Sequence, residues 1–180
     1  MKAMKIMAGS VLLAIVSVGC ALSSPKASSH DPEPSASVPV RIAYVVDGDT
    51  LRVRLEGGLT YVRLVGIDTP EDVRPGTPVE CGGESAAASM RQLAPEGSAI
   101  VLRADSVTDT RDRYGRLLAH AFVLGHQLEV AQLRRGWAEV YRFEGQHFDG
   151  LGPFERAQRA ARRGGRGVWS ACGGDFHSPS

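Results

Sequence analysis

The chain has 180 residues, 43% hydrophobic and 23% charged, which suits one globular domain with a sizeable core plus a modest appendage. Its 21 basic and 20 acidic residues give a net charge of +1, and Lys2 and Lys5 fall in a segment that export would remove. Net charge therefore excludes itself as an argument for a nucleic-acid partner, and any attraction must come from local clusters. Arginine is clustered twice: Arg111, Arg113 and Arg116, then Arg156, Arg159, Arg162, Arg163 and Arg166. The second group reads as a solvated helix face.

In chain order, residues 1–19 read as a signal peptide, with Lys2 and Lys5 ahead of an apolar run from Met7 to Val18. That run is shorter than the roughly 20 residues a membrane span needs. Ser17-Val18-Gly19-Cys20 resembles a bacterial lipobox, with Ser17 where Leu is usual, so Cys20 is expected to carry lipid. The alternative is an ordinary cut nearby, for example after Ala21, and free secretion. Residues 20–38 are rich in Ser, Pro and Ala and read as a disordered tether.

Order is expected from residue 39. Val40–Val46, Thr50–Leu55 and Thr60–Ile67 read as strands, joined by the turn signals Asp47-Gly48 and Gly57-Gly58. After a Pro-rich stretch, Gly83–Leu93 reads as a helix whose Ala86, Ala87, Met90 and Leu93 share a face. Ser98–Leu102 and Leu117–Leu124 read as strands, Leu128–Arg135 as a helix stopped by Gly136, Trp137–Tyr141 as extended, and Pro153–Arg163 as a final helix. The domain is expected to end at 172, with 173–180 a flexible tail. Five principal strands with a helix between the third and fourth predict an α+β fold built on a five-stranded OB-fold barrel with about three helices.

Three segments carry chemistry: Asp47-Gly48-Asp49-Thr50, Arg63 through Glu71, and Asp112-Arg113-Tyr114-Gly115-Arg116. Asp49 and Asp68 stand at the ends of strands that can lie side by side, and two adjacent carboxylates call for a cation between them. Oxygen ligands suit a hard ion such as Ca²⁺ or Mg²⁺, and no close His and Cys set of a zinc site is present. Phosphodiester hydrolysis needs that kind of charge screening, donors for phosphoryl oxygens and a group that handles water. The histidines at 30, 120, 126, 147 and 177 read as surface or structural residues.

In residue type, order and spacing these segments resemble those of the thermonuclease (staphylococcal-nuclease-like) family, from about Val40 to Trp169. The resemblance implies a calcium-dependent nuclease acting on DNA or RNA and leaving 3′-phosphate ends. It implies that Asp49 and Asp68 bind calcium by carboxylate and Thr69 by its carbonyl. Arg63 and Arg116 match the phosphate-clamping arginines, and Glu71 the glutamate that activates or orients water. Tyr114 and Arg113 match phosphate contacts and Tyr141 a nucleotide-pocket tyrosine, while Phe143 stands where a second pocket tyrosine is expected. Asp47 reads equally as a support for Asp49 or as a turn residue.

With Cys20 lipidated, parity and an oxidising destination leave Cys81 and Cys172 as a disulfide pair. A monomer is expected, touching a membrane only through lipid. Two rival readings are a catalytically silent OB-fold binder of nucleic acid or protein, and a structural envelope lipoprotein. Retention of Arg63, Glu71 and Arg116 beside both aspartates speaks against the first. The second leaves that charged constellation unexplained.

Overall fold

The computed structural model describes residues 38–55, 57–72 and 78–179. The expected signal segment, Cys20 and residues 20–37 of the tether lie outside the described residues. In chain order the elements are β1 (Val38–Val45), β2 (Thr50–Leu55), β3 (Gly58–Leu64), β4 (Ile67–Asp68), α1 (Gly83–Leu93), β5 (Ala99–Arg103), β6 (Leu117–Val123), β7 (His126–Gln127), α2 (Leu128–Arg135), β8 (Glu139–Val140), α3 (Leu151–Arg163) and α4 (Val168–Ala171).

Alternation drives the first three strands. Ile42, Leu51, Val53, Val62 and Leu64 are buried, while the residues between them, Arg41, Arg52, Arg54 and Tyr61 among them, face outward. β1, β2 and β3 form an antiparallel meander, β1 then pairs with β5 and β5 with β6, and β6 closes the ring by pairing parallel with β3. The result is the expected closed barrel of five principal strands. Closure leaves those strands no free edge. Inside lie Leu51, Val53, Val62, Leu64, Ile100, Ala119 and Ala121, and α1, α2 and α3 cover the barrel with Met90, Leu128, Leu133 and Phe154 turned inward.

Three expectations need correction. The single strand Thr60–Ile67 is split: β3 stops at Leu64, and β4 pairs instead with β8, as Ile67↔Val140 and Asp68↔Glu139. Gly66 is the cause, since its φ of +80° leaves the extended region and a Cβ there would run into the Phe148 ring. The second is the tail. Residues 173–179 pack back on the domain, with Phe176 buried against Trp169, Cys81 N donating to Ser178 O at 2.8 Å, and Glu80 bridging Pro179. A disulfide between Cys81 and Cys172, S–S 2.08 Å, brings the tail to the segment whose backbone it satisfies. The helix expected as the final one, α3, begins earlier, at Leu151, because Gly150 in the left-handed region opens it and Pro153 is tolerated in its first turn, and the short α4 follows it.

Candidate active site

The Asp47–Thr50 turn is locked from below. A Cβ on Gly48 would stand 2.6 Å from Thr69 Oγ1, so only glycine lets the turn pack against Thr69 and Ala86. Gln132, fully buried on α2, donates to the carbonyls of Gly48 and Ala86 at 3.0 Å each and accepts from Ser89 Oγ at 2.6 Å. Asp47 accepts the backbone N–H of Asp49 at 3.0 Å, so it is both turn residue and support.

Asp49 is buried at the start of β2. Its Oδ2 accepts from Thr69 N at 3.1 Å and Thr69 Oγ1 at 3.2 Å, and its Oδ1 from Thr50 Oγ1 at 2.9 Å. Arg63, opposite Thr50 in the β2–β3 register, places Nε 3.1 Å from Asp49 Oδ1 and Nη2 2.7 Å from Asp68 Oδ1. Its Nη1 donates to the carbonyls of Leu64 and Ile67 at 2.8 and 2.7 Å. Those two bonds hold the guanidinium across the β3–β4 break. The expected carboxylate pair is thus assembled, with an arginine between its members.

The electrostatic strain of this cluster is legible in its protonation. Burial, then the charge of Asp49, pushes Asp47 up to about 7. Burial also pushes Asp68 up to about 6 against the opposing pull of Arg63. Carboxylates crowded in this way fit a further cation, and all the donors are oxygen. Among the described residues no three Asp, Glu, His or Cys side chains are grouped to hold a metal. Two carboxylates and the Thr69 carbonyl would leave the rest of a hard ion's shell to water and substrate oxygens.

Arg63 and Asp68 line a cleft of about 540 Å³ together with Arg113, Tyr114, Arg116, Tyr141 and Phe143. The expected substrate contacts are therefore gathered around one space. Arg116 is steered by Asp112, which accepts from its Nε at 2.7 Å and its backbone N at 2.9 Å. Burial opposes ionisation of Asp112, but those Arg116 bonds hold it below the usual carboxylate range. Arg113 donates to the exposed Tyr114 hydroxyl at 2.7 Å. Tyr141 N donates to Gly66 O at 3.0 Å, tying the pocket tyrosine to the same β3–β4 break.

Glu71 sits beside the carboxylate cluster rather than in the cleft lining, its charge acting on Asp47. Its position is set by Glu80, whose Oε2 accepts the Glu71 N–H at 2.7 Å and whose own N–H returns to Glu71 O at 2.8 Å. His177, from the C-terminal segment, sits 3.2 Å from Glu80 Oε2, 3.6 Å from Asp68 Oδ2 and 3.5 Å from Glu139 Oε1. Sequence reading named Glu80 in no role and left His177 as a surface or structural residue. The His177–Glu80 contact crosses 97 positions, and no local pattern announces it.

The loop bearing Arg113 to Arg116 is anchored by a second unforeseen network. His120, buried on β6, lies 3.0 Å from Asp105 Oδ2 and 3.1 Å from Glu129 Oε1, and Asp105 also accepts from Val107 N, Thr108 N and Asp149 N. Burial disfavours the imidazolium, yet the hydrogen bond and charge of Glu129, with those of Asp105, raise its pKa. A raised folded value means the contribution to stability is complete below the unfolded pKa of about 6.5 and is lost as pH climbs through the folded one. Melting temperature should fall as pH rises above the unfolded value, and His120→Asn should flatten that fall. An unaltered pH profile in the variant would assign the titration elsewhere.

Residues 61–171 match the family model described as "Staphylococcal nuclease homologue". The chain is 33% identical over 136 residues to the SPbeta prophage-derived endonuclease YokF of Bacillus subtilis (strain 168), a match covering 76% of this chain and 45% of that protein. To Endonuclease YncB of the same organism it is 31% identical over 144 residues, 80% of this chain and 67% of the relative. To the Thermonuclease of Staphylococcus hyicus it is 30% identical over 131 residues, 72% and 75% of the two chains. The chain thus spans less than half of YokF but three quarters of the thermonuclease. With its barrel and site geometry in place, the chain belongs to the family of staphylococcal nuclease homologues.

Proposed function

We propose that the chain is a nuclease that hydrolyses DNA or RNA phosphodiesters in a calcium-dependent reaction and leaves 3′-phosphate ends. The observation that carries this reading is the convergence of Asp49 and Asp68 on Arg63, which together with Asp68 and Arg116 lines a single cleft. Asp49, Asp68 and the Thr69 carbonyl would hold the calcium ion, which when bound supplies positive charge against the phosphoryl oxygens. Arg116 donates to those oxygens through its two Nη groups, which form a fork beside the Nε that Asp112 holds, and Arg63 through the Nη2 hydrogen left beside its bond to Asp68, both meeting charge that grows on the phosphoryl oxygens. Glu71, held by Glu80 through its backbone, accepts a hydrogen bond from the attacking water. The water oxygen bonds phosphorus as the bond to the 5′ oxygen breaks, and the departing 5′ oxygen takes up a proton from solvent in place of the one the water gives up. Arg113 and Tyr114 contact neighbouring phosphate, while Tyr141 and Phe143 offer stacking faces to the base. The Cys81–Cys172 disulfide supports an exported protein, since such bonds persist outside reducing compartments.

The full chain incubated with single-stranded DNA should cleave in Ca²⁺, fall silent in EGTA, and recover poorly in Mg²⁺. Magnesium holds its waters and demands a near-ideal octahedron, which two carboxylates and a carbonyl at strand ends do not impose. Mapping of product ends should find 3′-phosphates. Binding without any cleavage in Ca²⁺ would favour the silent OB-fold binder, and equal rates in Mg²⁺ would remove the calcium assignment.

A further inference from the structure

We propose that the outer face of β1, β2 and β3 is a track for single-stranded nucleic acid that extends the cleft beyond the scissile phosphate. The inference rests on the nuclease reading only for the purpose of the track, not for its existence. In the register of the meander Tyr44 lies opposite Arg52, and Arg52 opposite Tyr61. The row is therefore Tyr–Arg–Tyr across three strands, with the Arg52 guanidinium 3.8 Å over the Tyr61 ring centroid. Both tyrosines are more than two fifths exposed, at 44% and 43%. On one side the next outward row is Arg41 opposite Arg54 opposite Leu59. On the other side the next row holds Arg63, which lines the cleft. Successive rows on one face lie about 6.7 Å apart, a step an extended nucleotide can follow.

Charge agrees with that occupant. β1, β2 and β3 carry Arg41, Arg52, Arg54 and Arg63 and contain no Asp or Glu. Arg52 Nε is buried without a hydrogen-bond partner among the described residues, a cost that the stack of its guanidinium on Tyr61 offsets. Cross-strand packing alone accounts for Arg52 over Tyr61. It does not account for a second half-exposed tyrosine in the same row, or for two more arginines in line with Arg63. Exposed rings with guanidinium groups between them are the surface on which unpaired bases stack while phosphates meet cations. A duplex, whose bases are already stacked, gains nothing from the rings.

The test measures fluorescence anisotropy of labelled oligothymidylates of about 3 and about 12 nucleotides with the full chain in EGTA, where no cleavage is expected. Tyr44→Ala with Tyr61→Ala should raise the Kd of the longer strand about tenfold or more and leave that of the shorter one unchanged. Tyr44→Phe with Tyr61→Phe keeps the rings and should bind as the parent does. The track is overturned if the alanine pair binds the longer strand like the parent, or if short and long strands lose equally. Cleavage in Ca²⁺ is scored separately. A chain that binds by length but never cuts keeps the track and loses the nuclease reading, and an active enzyme indifferent to both substitutions does the reverse.

Discussion

Replacing Arg116 with alanine is expected to lower turnover by at least ~10²-fold, the scale of a lost transition-state donor, while leaving the melting temperature in place. Arg63→Ala should lower both. The two arginines have the same proposed role but different surroundings. Arg116 is 31% exposed, and its only side-chain hydrogen bond among the described residues is to Asp112, itself near solvent in the loop. Arg63 is 13% exposed and bonds two carboxylates and two backbone carbonyls across the β3–β4 break. Its removal leaves Asp49 and Asp68 facing each other without a counter-charge, a defect on the order of 3 kcal/mol. Arg63→Lys should recover folding more than turnover, because an ammonium restores the charge but not the fork. Steady-state kinetics beside thermal melts separate the cases. Turnover near that of the parent in a folded Arg116→Ala chain would strike this arginine from the catalytic list, and a parent-like melting temperature for Arg63→Ala would refute its structural part.

The barrel was legible because burial on a closed sheet leaves a period-two record: Leu51, Val53, Val62 and Leu64 alternate with Arg52, Arg54, Tyr61 and Arg63. The carboxylate pair was legible because each aspartate sits in a short segment with its turn glycine or its strand. What escaped is what depends on distant contacts. The break at Gly66 is caused by Phe148, and β4 finds its partner at β8, so the local run Thr60–Ile67 reads as unbroken. Gln132 reaches the Gly48 carbonyl across 84 positions, and a lone Gln on an amphipathic helix carries no sign of its buried task. His120 shows the same limit, since a single histidine in an apolar strand does not reveal that Asp105 and Glu129 will meet it. The C-terminal segment misleads more actively. Its glycines and serines have the composition of a free tail, and only Phe176 and the half-disulfide Cys172 hint at attachment.

Breaking the disulfide should therefore act on stability and on the site together. Cys81 and Cys172 are 91 positions apart, and closing a loop of that length is worth roughly 4 to 5 kcal/mol in the chain-entropy model. Reduction should lower the melting temperature on the order of 10 °C. It should also loosen the segment after Cys172, whose Ser178 carbonyl accepts from Cys81 N and whose His177 faces Glu80 and Asp68. Glu80 in turn fixes the Glu71 backbone at 2.7 Å, so slack in the tail passes to the residue proposed to hold water. Turnover measured well below the melting range should fall on reduction. Cys81→Ser with Cys172→Ser should match the reduced parent in both respects and ignore added dithiol. His177→Ala in the oxidised chain separates the two effects, since it keeps the bridge and most of the stability but removes the contact with Glu80. Two alkylatable thiols in the unreduced, denatured protein would rule out the bridge in solution. Unchanged turnover in His177→Ala would confine the tail to stability and break its link to Glu71.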